Sequence, residues 1–313
     1  MAYSSSAGIV HAVRDVSLEI REKETLALAG ETGSGKTTLG LALSGLLDSQ
    51  ARVVSGEILF EGRSHRSLSN RDWQQIRGPK IGIIFQDARS ALNPILTIKD
   101  HLIETILAHQ RISRKEAQLR ASGFLQEAGI PKSHEKRYAF ELSGGMCQRA
   151  GIALAICNNP RLLIADEPTS SLDSTIQAQI LDLLLLMKQR HGLALLLVSH
   201  DLALLSQVAD RAAIMYGGRI VESGLTGEVF ASPGHPYTQV LIQCLAGLHH
   251  HHEMDPLKSI PGLVPAPDHE LPGCAFAPRC AKTGPGCDDS VPMSRKLSDT
   301  HWVECIRGYG IEE

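Results

Sequence analysis

Residues 30–37 read Gly-Glu-Thr-Gly-Ser-Gly-Lys-Thr, and they follow an apolar run at residues 25–29 and precede an apolar-rich stretch that begins at Leu39. A glycine-rich loop between a predicted strand and a predicted helix is the context of a phosphate-binding loop. Its glycines let successive N–H groups turn towards phosphate oxygens, and the helix adds its positive end. Lys36 would reach the β- and γ-phosphates, and the Thr37 hydroxyl would ligate Mg²⁺. A flexible glycine turn is the alternative interpretation. The candidate nucleotide-binding residues are Gly30, Glu31, Thr32, Gly33, Ser34, Gly35, Lys36, Thr37 and Thr38.

Length and composition indicate one large α/β domain with an appendage. The chain has 313 residues, of which 43% are hydrophobic, so it is able to build a sizeable core. The net charge of −3 provides no basic field, and no nucleic-acid partner is expected. No apolar run reaches the length of a membrane span, and the first residues lack the pattern of a secretory signal. We therefore expect a cytoplasmic protein.

The order of apolar segments predicts an α/β fold. Short apolar runs at residues 25–29, 81–85, 161–165 and 193–198 alternate with helical patterns, as in a largely parallel sheet covered on both faces. Residues 9–20 alternate in polarity and predict antiparallel strands, while residues 212–222 predict a hairpin. A helical stretch is predicted at about residues 91–160. Frequent prolines after Phe230 predict that residues 231–313 form an extension made of loops more than of elements.

Two carboxylates lie where another apolar run ends. Residues 162–168 read Leu-Leu-Ile-Ala-Asp-Glu-Pro. At the end of a buried strand, Asp166 would hold Mg²⁺, and Glu167 would orient and deprotonate an attacking water. A solvated acidic turn is the alternative for such a pair on its own, but together with a phosphate-binding loop the pair predicts nucleotide hydrolysis.

Residues 142–149, Leu-Ser-Gly-Gly-Met-Cys-Gln-Arg, begin a predicted helix that Ser143 is well placed to cap. Together with the acidic strand end about twenty residues later, this stretch resembles the signature motif of ATP-binding cassette (ABC) ATPases. Gln86 then resembles the Q-loop glutamine, residues 171–173 (Ser-Leu-Asp) resemble the D-loop with Asp173, and His200 resembles the switch histidine. Tyr3 is the best candidate for the aromatic residue that stacks on adenine. The chain begins almost directly at Tyr3, and relatives of this kind have another strand before that residue.

The resemblance implies a P-loop NTPase with a RecA-like core, an antiparallel β subdomain and a helical subdomain at about residues 91–160, all within residues 1–230. It also implies ATP and Mg²⁺ as ligands. Two such domains pack head to tail in this family, so Ser143, Gly144 and Gly145 would cover the γ-phosphate bound by the other domain. Lys36 and Mg²⁺ would neutralise developing charge, and Glu167 would activate water. Gln86 and His200 would sense the γ-phosphate, and Gln86 would also ligate Mg²⁺.

A finer resemblance covers nearly the whole chain. Residues 81–87 (Ile-Gly-Ile-Ile-Phe-Gln-Asp), residues 90–94 (Ser-Ala-Leu-Asn-Pro), Met146 and the tail segments at residues 256–262 and 271–280 are similar to the dipeptide, oligopeptide and nickel importer branch. This implies uptake of peptides, nickel or a metal chelate at the cytoplasmic face of the inner membrane. The implied partners are a second ATPase subunit, expected to be a paralogue, two transmembrane permease subunits and an extracytoplasmic substrate-binding protein. The alternatives are a soluble ABC-type ATPase that acts on ribosomes or nucleic acid, and an exporter.

The tail also concentrates cysteines. Of seven cysteines, four fall near the end, Cys274, Cys280, Cys287 and Cys305. In a reducing compartment such a group favours metal or iron–sulfur ligation over disulfides. Importers with this extension bind a [4Fe–4S] cluster through four cysteines, so the resemblance implies a cluster here. Structural zinc and free thiols are the alternatives. A run of histidines, His249 to His252, is expected to form a solvated loop, with metal sensing as the alternative.

Overall fold

A computed structural model describes residues 1–5, 8–249, 260–265 and 272–308. The strands, in chain order, are β1 (Ala2–Ser5), β2 (Gly8–His11), β3 (Thr25–Ala29), β4 (Ala51–Arg52), β5 (Leu59–Phe60), β6 (Arg63–Ser64), β7 (Ile81–Ile84), β8 (Leu162–Asp166), β9 (Ala194–Ser199), β10 (Arg211–Tyr216), β11 (Arg219–Leu225), β12 (Arg295–Lys296) and β13 (Trp302–Val303). The helices are α1 (Lys36–Leu43), α2 (Asn70–Ile76), α3 (Ile98–His109), α4 (Arg114–Glu127), α5 (Gly144–Ile156), α6 (Ser174–His191), α7 (Leu202–Val208), α8 (Thr226–Ala231) and α9 (Pro236–His249).

The first of two compact units comprises Met1–Glu19, Leu26–Gly56 and Ser199–Glu313. Here β10 pairs in parallel with β3 and antiparallel with β11, which confirms the predicted hairpin. Strand β13 then pairs with β11, and β12 with β13, so the tail extends the same ladder. All five residues of β3 are buried, as its apolar sequence requires. This unit therefore contains the loop at residues 30–37 and the cysteine-rich tail.

The second unit comprises Ile20–Thr25 and Glu57–Val198. Its strands β7, β8 and β9 are parallel, with Ile83 opposite Ile164 and Ile164 opposite Leu196. Helices α3, α4 and α5 lie within the predicted helical stretch, and their facing sides bury Leu102, Leu125 and other apolar residues. Each of these helices begins at a serine or threonine whose side chain caps a backbone N–H.

The structure differs from the sequence predictions at two places. The predicted strands at residues 9–20 end at His11, and the tail contains a helix of 14 residues, α9, where loops were predicted. Pro236 is the first residue of that helix, a position at which proline is tolerated because its missing N–H has no helical partner. The predicted domain boundary at residues 230 and 231 stays a prediction. The histidine run lies outside the described residues, apart from the backbone of His249 at the end of α9.

Candidate nucleotide site and cysteine cavity

The loop between β3 and α1 has the backbone shape that its glycines allow. Gly30, Gly33 and Gly35 all have positive φ, at 150°, 83° and 100°. A Cβ on Gly30 would lie 2.1 Å from the carbonyl oxygen of Met215, and one on Gly35 would lie 2.3 Å from that of Ala12. Glycine is therefore required at both positions by conformation and by space. A Cβ on Gly33 would meet nothing within 4 Å, so that side of the loop is open.

Lys36 lies inside this loop. Only 5% of the residue is exposed, and its Nζ donates to the carbonyl oxygens of Gly30 at 2.7 Å and Glu31 at 2.9 Å. The N–H of Ser34 also donates to the Glu31 carbonyl oxygen, at 3.2 Å. The first turn of α1 contains no acidic residue, so a positive helix end and a buried amine lie together. This is the charge arrangement that binds phosphate.

The first turn of α1 also contacts the N-terminal strand. Thr37 is exposed, as a metal-binding hydroxyl must be. The hydroxyls of Tyr3 and Thr38 are 3.2 Å apart, so the Tyr3 side chain reaches the helix that begins with Lys36. Stacking of Tyr3 on adenine stays a prediction, as do the binding roles of Thr32 and the other loop residues.

The side chain of Glu31 binds Arg279 in the tail. The guanidinium donates to Glu31 Oε2 at 2.7 Å and Oε1 at 3.2 Å, and to the Tyr216 hydroxyl at 3.2 Å. Burial works to lower the pKa of Arg279, but the hydrogen bonds to Glu31 and Tyr216 outweigh it and raise the pKa, so the guanidinium stays charged. The backbone N–H of Glu31 donates to the hydroxyl of Tyr237 at 2.8 Å. Neither Arg279 nor Tyr237 is predicted from the sequence, because each is more than 200 positions from Glu31.

In the second unit, the end of β8 carries the predicted carboxylates. Asp166 is the last residue of β8, and the N–H of Glu167 donates to the carbonyl oxygen of Val198 at 2.9 Å. Glu167 has a φ of +44°, which costs a residue with a side chain about 1–2 kcal/mol and is common at functional sites. The hydroxyl of Ser170 donates to the Gln86 carbonyl oxygen at 3.3 Å. The structure thus brings Gln86 next to the turn that holds the two acids.

The predicted signature motif is a helix start that faces solvent. Ser143 and Gly144 are exposed, and Ser143 Oγ accepts a hydrogen bond from the N–H of Met146 at 3.4 Å. A Cβ on Gly145 would lie 2.9 Å from Cγ2 of Ile176, so glycine lets α5 approach α6. No acidic residue lies in the first turn of α5. Because the first N–H groups of a helix have no intrahelical partner, this helix start is suited to an anion that arrives from outside.

Asp173 and His200 stand at the ends of other elements. Asp173 caps α6, where its Oδ1 accepts a hydrogen bond from the N–H of Ile176 at 3.0 Å. This cap orders the turn beside the signature motif. His200 is exposed and directly follows β9. The assignment of His200 as a γ-phosphate sensor stays a prediction.

The four tail cysteines line one cavity. Cys274, Cys280, Cys287 and Cys305 surround it together with His235 and other residues of the tail. Burial raises the pKa of Cys305 to about 11 and also raises the pKa values of Cys274 and Cys280. These thiols are therefore protonated at neutral pH unless a cation displaces the proton. Within the described ranges, no three His, Cys, Asp or Glu side chains are arranged to bind a single metal ion.

Nε2 of His235 is a buried polar atom without a hydrogen-bond partner in the part of the chain that the structure describes. The ring is 1% exposed, and its Nδ1 accepts a hydrogen bond from the N–H of Tyr237 at 3.0 Å. Burial lowers the pKa of His235 to about 4, although Glu222 works to raise it. The neutral ring must then carry its proton on Nε2, which leaves a buried donor in need of an acceptor.

Comparisons with known proteins agree with this arrangement. A profile of the family described as ABC transporter matches residues 13–170. A second profile, described as the C-terminal region of oligopeptide and dipeptide transporters, matches residues 221–287. Together they match both the phosphate-binding loop and most of the cysteine-bearing tail.

Curated relatives are similar over nearly the full chain. The oligopeptide transport ATP-binding protein AppD of Bacillus subtilis is 41% identical, over 95% of this chain and 91% of its own length. The dipeptide transport ATP-binding protein DppD of the same organism is 40% identical, over 97% of this chain and 91% of its own length. Among solved structures, a bacterial ABC transporter cassette determined as a dimer is 28% identical, with a TM-score of 0.66 over 72% of this chain and 95% of the other. The α/β fold predicted from the sequence is thereby confirmed.

Proposed function

The chain belongs to the ABC transporter family, and we propose that it is the ATP-hydrolysing subunit of an importer for dipeptides or oligopeptides. ABC ATPases hydrolyse ATP, and this chain carries the lysine and glycines of their phosphate-binding loop. The observation that supports the proposal most directly is Lys36, which lies buried inside that loop with its amine held by two loop carbonyls. Similarity to peptide transport proteins along the whole chain supports the choice of cargo.

In this proposal the loop binds the phosphates of ATP. Lys36 and the loop N–H groups neutralise the β- and γ-phosphates, and the Thr37 hydroxyl with Asp166 would hold Mg²⁺, which supplies positive charge at the phosphates. Tyr3 supports the adenine base. The exposed hydroxyl of Thr37 and the strand-end position of Asp166 suit the oxygen ligands that Mg²⁺ prefers.

Glu167 is the general base of the proposed reaction. It accepts a proton from the attacking water, while Gln86 and His200 respond to the presence of the γ-phosphate. The left-handed backbone of Glu167 departs from the extended backbone of β8, which ends at Asp166. This departure is consistent with a side chain positioned for chemistry rather than for packing.

A second ATPase subunit completes the proposed site. Ser143, Gly144 and Gly145 present exposed N–H groups that would bind the γ-phosphate held by the partner subunit's loop. ATP would then close the pair, and hydrolysis would open it. Two permease subunits and an extracytoplasmic substrate-binding protein are the remaining partners, with this subunit at the cytoplasmic face of the inner membrane. None of the described helices is both long and apolar enough to cross a bilayer.

The variant Glu167→Gln tests the proposed chemistry. It should retain ATP affinity in the purified complex and lose ATP-dependent uptake of a labelled dipeptide into vesicles, with turnover at least about 100-fold lower because the general base is removed. Glu104→Gln, the same change at an exposed position of α3, serves as the control. Undiminished turnover in Glu167→Gln would refute the role of the base. Purification with ribosomes and no membrane partner would favour the soluble ABC-type ATPase. Uptake of nickel without uptake of peptide would show that nickel, and not a peptide, is the transported substrate.

We also propose that the cavity lined by Cys274, Cys280, Cys287 and Cys305 holds a [4Fe–4S] cluster. Thiolates that surround a cavity suit the four irons of a cluster, whereas zinc needs its ligands to converge on one ion. The Nε2–H donor of His235 would find an acceptor in a cluster sulfur. When bound, the cluster ties together tail segments that have little core of their own.

The cluster is tested by iron, sulfide and zinc analysis of anaerobically purified protein. We expect about four irons per chain and visible charge-transfer absorbance, both lost in Cys287→Ser. Cys157→Ser, a change at a buried cysteine of α5's C-terminal end, is the control and should retain both. One zinc per chain and no iron would overturn the proposal in favour of a structural zinc site.

A further inference from the structure

Arg279 links the cysteine-bearing tail to the phosphate-binding loop. It ends a short 3₁₀ turn, Ala277–Arg279, immediately before Cys280. Its side chain is 6% exposed, and its Nε donates to the carbonyl oxygen of Pro261 at 2.9 Å while the remaining donors face Glu31 and Tyr216. A planar guanidinium that forms a two-point contact with a carboxylate fixes the distance and the orientation of its partner.

Glu31 transmits this contact to the loop. Its side chain binds Arg279 and its backbone N–H binds the Tyr237 hydroxyl. Its carbonyl oxygen accepts the hydrogen bond from Lys36 Nζ. The tail therefore holds the residue that in turn holds the phosphate-binding amine.

Three aromatic side chains pack next to the contact between Arg279 and Glu31. The rings of Tyr216, Tyr237 and Phe276 pack against one another, with centroids 4.7 to 5.3 Å apart, and all three are buried. Arg279 lies 5.8 Å from the centroid of the Tyr216 ring. Because Phe276 and Arg279 both belong to the tail, displacement of the 3₁₀ turn would disturb the support of Glu31 on two sides.

We propose that Arg279 is a positioning residue for nucleotide binding: through Glu31 it holds the loop at residues 30–37 in its phosphate-binding shape, so that full ATP affinity requires the folded tail. This inference rests on the proposed binding of ATP at that loop. The coupling is reciprocal, because any effect of the tail on ATP affinity must appear as an effect of ATP on the stability of the tail.

The test compares ATP affinity in full-length variants by calorimetric titration. Arg279→Ala should weaken ATP binding about tenfold, within the usual range of coupling between sites, and Glu31→Gln should weaken it in the same direction. The double variant should bind ATP no more weakly than Arg279→Ala alone, because the two side chains act through one contact. Arg279→Lys keeps the positive charge but cannot form the two-point contact with the Glu31 carboxylate. It should therefore recover part of the ATP affinity that Arg279→Ala loses.

Arg219→Ala is the matched control. Arg219 is also a mostly buried arginine of the same unit, and it pairs with Glu304 at 3.0 Å and Asp15 at 2.8 Å without contacting the loop. It should leave ATP affinity within about twofold. In steady-state hydrolysis Arg279→Ala should raise the KM for ATP, with kcat within about twofold of the original, since the groups assigned to the γ-phosphate are unchanged.

The outcomes separate this inference from the proposed function. If Lys36→Ala abolishes ATP binding while Arg279→Ala and Glu31→Gln bind ATP normally, the positioning role is wrong and the ATP site stands. An equal loss in Arg219→Ala would also overturn it, as a general effect on stability. If Lys36→Ala binds ATP as well as the original chain, the proposed function itself fails. Should Arg279→Ala unfold the tail, Glu31→Gln carries the test, because it leaves every tail residue unchanged.

Discussion

The loop at residues 30–37 and the turn at residues 143–145 both join glycines to the start of a helix, the kind of backbone that suits an anion. They differ in what holds them. The first loop is tied by Lys36, by the Tyr237 hydroxyl and by Arg279. The second turn has a single cap from Ser143 at 3.4 Å, and its first two residues are exposed.

The difference fits the proposal that the first loop binds phosphate within its own chain, whereas the second turn binds phosphate held by a second subunit. A partly buried loop that is held by several hydrogen bonds keeps its shape before the ligand arrives, so little ordering cost is left for binding. The first N–H groups of an exposed helix start have no intrahelical partner, so water or an incoming ligand supplies their hydrogen bonds. If this interpretation holds, substitutions in the first loop should damage ATP binding in the isolated chain. Substitutions in the second turn should leave ATP binding by the isolated chain unchanged and should lower ATP turnover only in the assembled complex.

The largest effect is expected for Lys36→Ala. It removes charged hydrogen bonds to two phosphates, worth about 3 to 6 kcal/mol together, so ATP affinity should fall at least about 100-fold. Fluorescence titration with a labelled ATP analogue measures this in the isolated chain. Lys99→Ala, which removes an amine that pairs with Glu135 in the other unit, is the control. Normal ATP affinity in Lys36→Ala would show that the loop at residues 30–37 does not bind ATP through this lysine, and the comparison between the loop and the turn would fail.

An intermediate effect is expected for Gly35→Ala. The new Cβ would lie 2.3 Å from the Ala12 carbonyl oxygen, and alanine is strained at a φ of 100°. We expect a loss of about 2 to 4 kcal/mol in the free energy of unfolding, measured by urea denaturation. The matched variant is Gly144→Ala, whose Cβ would lie 3.4 Å from Leu172 Cδ2 in a helix that favours alanine. Equal losses in both would contradict the view that only the first loop is rigidly built.

The smallest effect on stability is expected for Ser143→Ala. Loss of the long cap bond should lower the free energy of unfolding by about 0.5 to 1 kcal/mol. ATP affinity of the isolated chain should stay within about twofold, while turnover in the complex falls about 100-fold, as when one donor to a developing charge is removed. Ser133→Ala, at an exposed position outside α5, controls for the surface change. Weaker ATP binding in the isolated chain would show that Ser143 serves its own loop.

Local spacing made much of this molecule predictable. The family, the α/β fold and ATP hydrolysis follow from short motifs whose residues are neighbours in the chain, and the comparisons confirm them. The strand before Gly30 and the helix after it were predictable because a run of buried apolar residues and the glycine pattern both lie within about twenty positions. The hairpin around Gly217 and Gly218 was predictable for the same reason.

Contacts between distant positions were not predictable. Glu31 and Arg279 are 248 positions apart, and nothing in either neighbourhood indicates the other. The positive φ of Glu167 is imposed by the surrounding turn and has no signal in a residue type that rarely adopts it. The prolines around helix α9 predict breaks rather than a helix, although Pro236 begins the helix. The site roles of Gln86, Asp166 and His200 stay predictions.

The ion pair between Glu31 and Arg279 can form only after the ribosome has added both residues. A ribosome that adds about 5 to 20 residues per second needs roughly 12 to 50 s to travel the 248 positions between them. During that interval the nascent chain already contains the whole motif at residues 30–37 but lacks Arg279, which binds Glu31 in the folded protein. If Arg279 positions the loop, a product that stops before residue 279 should bind ATP more weakly than the full chain.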